Sequence, residues 1–281
     1  MMSPRARAAR PAVRAGRAFF LALWMATAAP VLAGPAYELY SARPTAESPL
    51  PPTQRLGHRT PQIAIIIDDI GYDVALARDF LAMELPLTFS LLPDSPHRDQ
   101  LARQAADAGV ELMLHLPMEP LEYPAVSPGP NALMARLSGD TLADRIDAAL
   151  SQLPEVKGVN NHMGSRLTGL AAPIHRVLTL LRDQDLYFVD SVTSPQSLCR
   201  PVARRLQVPF AQRDVFLDHD LHPAAIRRQI DRLIRVAQAY GKAVGIGHPH
   251  AATRDALREA LPRLQKEVQL VPASRIVETA G

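Results

Sequence analysis

Polar side chains of the kinds that perform hydrolytic chemistry follow short apolar runs along this sequence. Asp68 and Asp69 come directly after Ile63–Ile67, and His115 comes directly after Glu111–Leu114. At or after later apolar runs stand Asn160, Asn161, His162, Asp190, His248 and His250. Carboxylates and imidazoles bind divalent metals and exchange protons near neutral pH. Their repeated position indicates a metal or acid–base site assembled from the ends of several elements.

Each of these groups taken alone also has a structural explanation. Asp68 and Asp69 could cap a helix, and His115 could be a core histidine that is hydrogen-bonded to the backbone. His162 lies between Asn-Asn and Met-Gly-Ser, and the geometry of a tight loop could account for that segment. Asp218 and Asp220 flank His219 in a pattern that could imitate a metal motif, but the pair is expected to cap the helix that begins at Pro223.

The remaining histidines are interpreted from their local pattern. His248 and His250 flank Pro249, and alternate residues of an extended segment point in opposite directions, so one of the two is expected to face the site. Surface positions are expected for His97, His175, His219 and His222.

The elements that would position these groups alternate between strands and helices. Five consecutive apolar residues, as in Ile63–Ile67, indicate a strand that is buried on both faces. Strands are predicted at Ile63–Ile67, Leu87–Leu91, Glu111–Leu114, Val156–Asn160, Tyr187–Asp190, Phe210–Phe216, Ala243–Gly247 and Val268–Val271. Helices are predicted at Asp73–Met83, from Ser95-Pro96 to Gly109, from Asp140 to Leu150, up to Gln184, at Pro223–Tyr240 and at Thr253–Leu261.

This alternation over residues 60–281 predicts an α/β domain with a parallel sheet. Seven or eight strands favour a (βα) barrel, complete or incomplete, over an open sheet. The carboxyl ends of the strands then lie on one face of the barrel, where active sites are built. A purely structural domain, whose polar strand ends satisfy one another, is the alternative. A site is favoured because unpaired buried carboxylates and imidazoles are costly.

Six segments together resemble the divergent polysaccharide deacetylases over Gln62–Val271. They are Ile-Asp-Asp-Ile-Gly at 67–71, Pro-Leu-Thr-Phe-Ser at 86–90, His-Leu-Pro-Met-Glu-Pro at 115–120, Asn-Asn-His-Met-Gly-Ser at 160–165, Phe-Val-Asp-Ser at 188–191 and Ile-Gly-His-Pro at 246–249. Members of the wider superfamily use an Asp-Asp pair, a His-x-x-x-His pair and a late His. The resemblance implies that Asp68 is the catalytic base, Asp69 a metal ligand and His248 the general acid.

The same resemblance implies the rest of the site. His115 matches the first His of the pair, and Glu119 stands where the second is expected. A spacing of four lets both side chains reach one ion if the segment turns. The usual Arg-x-Pro-Tyr segment is absent, and 160–165 takes its place. The implied metal ligands are Asp69, His115, His162 and Glu119, and the implied substrate contacts are Asn161, Ser165 and Asp190.

The implied cofactor is a divalent metal, with Zn²⁺ expected, and the implied partner is a carbohydrate. The activity would be a metal-dependent amide or ester hydrolysis that removes acetyl groups from an envelope carbohydrate. The alternative is a periplasmic barrel that keeps a metal or sugar pocket and performs no turnover.

The N-terminus predicts export. Five arginines lie in the first seventeen residues, followed by the apolar stretch Ala18–Ala29 and the small-residue pattern Val31-Leu32-Ala33. This order is typical of a signal peptide that is cleaved after Ala33, leaving a periplasmic or secreted chain without a stable membrane span. An uncleaved membrane anchor is the alternative. Without those five arginines the chain carries 26 basic and 28 acidic residues, so its charge does not favour nucleic-acid binding.

Two further features complete the domain prediction. Residues 34–59 are rich in proline and lack apolar periodicity, which is typical of a linker. The domain is therefore expected at 60–281, after a signal peptide at 1–33. Cys199 is the only cysteine, so no intramolecular disulfide can form, and we expect it to be a buried, inert thiol.

Overall fold

A computed structural model describes residues 60–279 of the chain. The predicted signal peptide at 1–33 and the linker at 34–59 lie outside the described residues, and both stay predictions. Within the described range, no helix has the length and apolar character needed to cross a membrane.

Strands and helices alternate through the described residues. The strands are β1 (Gln62–Ile70), β2 (Thr88–Leu91), β3 (Glu111–Met118), β4 (Gly158–Met163), β5 (Tyr187–Asp190), β6 (Phe210–Gln212), β7 (Val215–Phe216), β8 (Lys242–Gly247) and β9 (Gln269–Leu270). The helices are α1 (Val74–Leu81), α2 (Arg98–Asp107), α3 (Gly139–Ser151), α4 (Ala171–Asp183), α5 (Cys199–Leu206), α6 (Pro223–Tyr240) and α7 (Ala251–Glu267).

The strands form one parallel sheet in the order β6-β5-β4-β3-β2-β1-β8-β7, with β9 also paired to β1. The two ends of this path, β6 and β7, are consecutive in sequence, and only Arg213 and Asp214 separate them. Three peptide steps span at most about 11 Å, so the sheet must curl until its two edges nearly meet. The predicted (βα) barrel is therefore confirmed in its incomplete form.

Side chains of the strands alternate between two apolar cores. On β1, Ile63, Ile65 and Ile67 pack towards the helices in the larger core, whereas Ala64 and Ile66 belong to a smaller core inside the barrel. The inner core also contains Met113 of β3, Val189 of β5, and Val244 and Ile246 of β8. Continuing each alternation by two residues places Asp68, His115 and His248 above this inner core.

The predicted elements differ from the structure in a few places. Phe210–Phe216 is split into two strands on opposite edges of the sheet. The second helix begins at Arg98 and not at Ser95, whose hydroxyl donates to the carbonyl of Leu92 in the preceding turn. Helix α5 was not predicted, because its eight residues include Pro201 and three arginines, which mask the apolar face.

Candidate metal-dependent active site

The last residues of β1 bring two adjacent carboxylates into one pocket. Neighbouring residues of a regular strand point to opposite faces, yet Asp68 and Asp69 both line the same pocket, and each is only 2% exposed. The pairing of β1 with β2 shifts register between Ile67 and Ile70, and Asp69 has a φ of 55°. This bulge re-aims the Asp69 side chain towards the barrel mouth.

Asp69 meets two imidazoles from neighbouring strands. Its Oδ1 lies 3.1 Å from Nε2 of His115 on β3 and 3.0 Å from Nδ1 of His162 on β4. The two imidazole nitrogens are 3.1 Å apart. All three residues are buried, and they are the group of potential metal ligands found among the described residues. We call these three residues the ligand cluster.

Asn160 fixes the tautomer of His115 in this cluster. Its Oδ1 lies 2.7 Å from Nδ1 of His115 and accepts from the hydroxyl of Ser90 at 2.6 Å, while its Nδ2 donates to Oδ1 of Asp68 at 2.7 Å. The opposite amide orientation would set two oxygens against each other at Asp68. Neutral His115 must therefore carry its proton on Nδ1, which leaves the Nε2 lone pair facing the cluster.

The donor set fits a divalent metal. Asp69, His115 and His162 contact one another in three pairs, and a proton on Nδ1 of His162 can satisfy only one of these contacts. Neither oxygen of Asp69 has a hydrogen-bond partner of suitable geometry. Ligands at 2.0–2.1 Å from a tetrahedral zinc lie about 3.3 Å from one another, close to the spacing seen here. A cation at the centre would compensate all three groups, which would otherwise be costly to bury.

The two carboxylates are held in different electrostatic states. Burial raises the pKa of Asp68 above its ordinary value, and the charges of His115 and His248 only partly oppose this effect. Burial also disfavours ionisation of Asp69, but the neighbouring His162 and His115 outweigh it and hold the pKa of Asp69 well below its usual range. Asp68 is therefore the better proton acceptor, and Asp69 is the more permanent anion.

A second histidine–carboxylate pair lies across the pocket. Asp218 Oδ1 is 2.9 Å from Nδ1 of His248, and Asp218 Oδ2 accepts from the backbone N–H of His248 and from the hydroxyl of Thr253. Burial disfavours the charged form of His248, but Asp218 outweighs this effect and raises the pKa of His248 to about 9. We call Asp218 and His248 the acid pair, because its imidazole is protonated at neutral pH.

A strained loop forms the third side of the pocket. Val192 has a φ of 50°, a conformation that is costly for a β-branched residue. Asp190 accepts from the N–H of Val192 at 2.8 Å, and the Arg213 guanidinium donates to the carbonyls of Ser191 and Val192 at 2.7 and 2.8 Å. These bonds hold Ser191 against the pocket with its buried hydroxyl unpartnered. Such over-determined strain is typical of active sites and ligand clamps.

The pocket enclosed by these elements is small. Its volume of about 40 Å³ has room for an ion with a few waters or for a group of acetyl size. It is lined by Asp68, Asp69, His115, Asn161, His162, Met163, Ser191, Thr193, Arg213, Phe216, Ile246 and His248.

Glu119, predicted as a fourth ligand, does not join the ligand cluster. The segment from His115 to Met118 stays in β3 and does not turn, so a spacing of four residues carries Glu119 about 13 Å along the strand. Its carboxylate accepts from the backbone N–H of Ala135 at 2.5 Å and pairs with Arg166 at 3.4 Å. It therefore anchors loops, and His162 of the adjacent strand completes the cluster.

Of the three predicted substrate contacts, the structure places Asn161 at the pocket and the other two outside its lining. Asn161 lines the pocket, although its amide also bonds to Met163 and to the N–H of Ser191. Ser165 lies outside the lining and accepts from the N–H of Leu121. Asp190 uses both carboxylate oxygens on its own loop, at Val192 and Ser197, and does not line the pocket.

Three functional residues were missed by sequence reasoning. The expectation that Asp218 caps a helix is wrong, because His222 caps α6 and Asp218 holds His248. Asn160 was noted only as a strand-end residue, yet it occupies an inward position of β4 two residues before His162. Arg213 was placed inside a single predicted strand. A signal for Asp218 existed, since it follows the apolar end of β7 as the other site residues follow their strands.

Comparison with known proteins places these observations in a family. The model of the family described as "Divergent polysaccharide deacetylase" matches residues 65–277, which is most of the chain. The uncharacterised protein YibQ of Escherichia coli (strain K12) is 36% identical over 216 residues, covering 77% of this chain and 67% of that protein.

Solved structures share the fold. The uncharacterised protein ATU2773 of Agrobacterium tumefaciens C58 superimposes with a TM-score of 0.75 at 25% identity, covering 79% of this chain and 91% of that one. A mutant of BA3943, described as a CE4 family pseudoenzyme with restored enzymatic activity, superimposes with a TM-score of 0.54 at 14% identity, covering 78% and 68%. On the family match and the relative from Escherichia coli, this chain belongs to the divergent polysaccharide deacetylases.

Proposed function

We propose that this protein is a metal-dependent deacetylase of an acetylated carbohydrate, with Zn²⁺ as its metal. The observation that carries the proposal is the meeting of Asp69, His115 and His162 at mutual distances of 3.0–3.1 Å, with both oxygens of Asp69 unsatisfied. A cluster that needs a cation, beside one carboxylate of raised pKa and one protonated imidazole, has the parts required for amide or ester hydrolysis.

The chain's own residues divide the reaction into proton acceptance and proton donation. Zn²⁺, when bound, supplies Lewis acidity that lowers the pKa of water and polarises a carbonyl. Asp68 faces the same pocket, held by Asn160 through one oxygen, and its other oxygen is available to accept the proton of an attacking water. Its raised pKa brings its basicity closer to neutral pH than that of an ordinary aspartate.

His248 completes the reaction on the opposite side of the pocket. Nδ1 of its ring is engaged by Asp218, so Nε2 is the nitrogen that can donate a proton to the leaving amine or alkoxide. The Asp218 carboxylate keeps the imidazole charged at neutral pH, which a general acid requires. The small volume of the pocket supports a short acyl group, such as acetyl, as the group that is hydrolysed.

The test is metal-dependent acetate release. The purified protein is stripped with a chelator, reloaded with Zn²⁺ and incubated with N- and O-acetylated glycans. We expect acetate only from the reloaded protein. Metal and glycan binding without acetate release from any substrate would instead indicate a binding protein.

Asp68→Asn tests the proton acceptor. Asparagine keeps the hydrogen-bonding capacity and the size of the side chain but cannot take up a proton, so turnover should fall by about 10²–10⁴ with unchanged Zn²⁺ content. The exposed Asp140→Asn is the matched control and should behave as wild type. Turnover of Asp68→Asn within about tenfold of wild type would remove Asp68 from the role of base.

We also propose that the protein acts outside the cytoplasm. The arginine-rich start, the apolar stretch 18–29 and the Val31-Leu32-Ala33 pattern support export with cleavage after Ala33. Mass analysis of protein from the cell envelope should give a mature chain that begins at Gly34. A full-length chain in the membrane fraction would indicate an anchor instead.

A further inference from the structure

The guanidinium of Arg213 lines the same pocket as the ligand cluster, and beyond holding its loop it has no part in the proposed hydrolysis. Among the described residues, no carboxylate forms a direct ion pair with it. Asp190 spends both oxygens on its own loop, and Asp214 accepts from the backbone N–H of Val244. These acids attract Arg213 only at longer range. A partly buried cation without a contacting anion is costly.

The backbone holds this guanidinium along one edge and leaves a second edge open. Nε and Nη2 of Arg213 donate to the carbonyls of Ser191 and Val192, which uses two of the five N–H groups of an arginine. The ring of Phe216 covers one face, with its centroid 4.9 Å from Cζ. The remaining edge, formed by Nη1 and Nη2, has the planar fork that binds a carboxylate through two parallel hydrogen bonds.

The hydroxyl of Ser191 is a second donor that lacks a partner. Ser191 is only 7% exposed and lines the pocket, and its Oγ is buried without a hydrogen bond, which is costly for a polar group. Its carbonyl accepts from Nε of Arg213, so the two residues are in contact. Its N–H donates to Asn161, the residue before His162. One small ligand can therefore reach both donors and the ligand cluster.

We propose that Arg213 and Ser191 form a subsite for a carboxylate group of the substrate, beside the acetyl group that enters the pocket. Arg213 binds the carboxylate through its open edge, and the hydroxyl of Ser191 donates to one of the carboxylate oxygens. The protein then selects acidic acetylated sugars over neutral ones. This inference deepens the proposed function and rests on it for the identity of the acyl group.

Calorimetry with matched acidic and neutral ligands tests the subsite without turnover. One pair is N-acetylmuramic acid and its carboxamide, and the other is N-acetylglucosaminuronic acid and N-acetylglucosamine. The Zn²⁺-loaded protein should bind the acid of at least one pair about tenfold more tightly than its neutral counterpart. The pair that shows this preference identifies where the sugar carries its carboxylate. Equal affinities within both pairs would overturn the inference.

Two substitutions locate the preference. Arg213→Gln should abolish it, because an amide lacks both the charge and the fork. Ser191→Ala should lower it from about tenfold to about threefold. The second variant removes a hydroxyl that makes no bond within the fold, so it decides the matter if Arg213→Gln does not fold. A folded variant of either kind that keeps the full preference of wild type would overturn the inference.

The matched control is Arg200→Gln. Arg200 also lies over a phenylalanine ring, with Cζ 5.4 Å from the centroid of Phe210, but it is outside the pocket lining and should leave the preference unchanged. Binding to the metal-stripped protein is the second control. A preference that disappears with the metal and survives Arg213→Gln would assign the carboxylate to the ion and overturn the subsite.

The two proposals fail separately. A carboxylate preference that depends on Arg213, without acetate release from any ligand, would sink the deacetylase proposal and support the subsite. Equal binding and equal deacetylation of the acidic and neutral ligands, insensitive to Arg213→Gln, would overturn the subsite and leave the deacetylase proposal standing.

Discussion

The barrel mouth holds two groupings of histidine with aspartate that differ in their hydrogen bonds. In the acid pair, both oxygens of Asp218 have donors, and the imidazole of His248 is paired at 2.9 Å. In the ligand cluster, Asp69 touches two imidazoles at similar distances, yet its oxygens have no suitable donor. Under the proposed function, the same residue types thus hold a proton in one place and a cation in the other. Partner count and donor supply, not residue type, separate the two roles.

Removal of one imidazole from the ligand cluster should have the largest effect. His115→Ala deletes a ligand and leaves Asp69 and His162 to hold the ion alone, so Zn²⁺ content should fall to background and turnover by about a thousandfold or more. Metal analysis and acetate release measure both. His175→Ala, on α4, is the control and should keep its metal. Full metal occupancy in His115→Ala would refute the assignment of the cluster.

Asn160→Ala should loosen the cluster without deleting a ligand. The change leaves Nδ1 of His115, the hydroxyl of Ser90 and Asp68 without their shared partner. Loss of such outer contacts costs about 10–100-fold in metal affinity. Competition with a chelating dye measures the affinity. An unchanged affinity would mean that the orientation of His115 does not depend on Asn160.

Asp218→Asn should act on the acid pair alone and appear as a pH effect. Without the carboxylate, the effect of burial dominates and lowers the pKa of His248. The alkaline limb of the pH profile of kcat/KM should therefore shift to lower pH by more than about one unit, and the Zn²⁺ content should not change. The groups that face His248 are Asp218, Asp69, Asp68 and His250. An unmoved limb would assign the alkaline pKa to another group.

The acid pair should also contribute to stability in a pH window with a defined sign. The pKa of His248 is raised above its ordinary value of about 6.5. The pair therefore stabilises the fold fully below that pH, and the contribution is lost as the pH rises through about 9. Chemical denaturation should show a larger difference in unfolding free energy between wild type and Asp218→Asn at about pH 6 than at about pH 10. A difference independent of pH would contradict the pairing.

Glu119→Gln should have the smallest effect on the site. Because Glu119 bonds to Ala135 and Arg166 and not to the cluster, metal content should stay within about twofold of wild type. The free energy of unfolding should fall by about 1 kcal/mol through the weakened buried contact. Metal analysis and denaturant unfolding check the two parts. Loss of metal here would restore Glu119 as a ligand.

Sequence reasoning reached those parts of the site that follow long apolar strands. The alternation through β1 and β8 is regular, so Asp68 and His248 could be placed at the barrel mouth before any coordinates. It failed where backbone geometry is irregular or elements are short. The segment after His115 would have to turn for Glu119 to reach the ion, and it stays extended. Residues 210–216 were treated as one strand, and Asp218 was assigned to the helix that follows and not to the end of β7. The bulge that re-aims Asp69 leaves no sequence signature of its own.

Glu119 lies at the junction between the strand that carries His115 and the loop that follows it. The loop between 119 and 135 leaves the sheet at β3 and returns beside it, where the backbone of Leu133 is hydrogen-bonded to Pro117 and Glu119. The Glu119 carboxylate accepts from the backbone N–H of Ala135 and so joins the two ends of the loop. Because both ends of this loop are bonded to the sheet, we expect changes in its exposed part, residues 121–127, to leave the strand that carries His115 in place. Under the proposed function, variation in this loop would change ligand selectivity while the ligand cluster keeps its geometry.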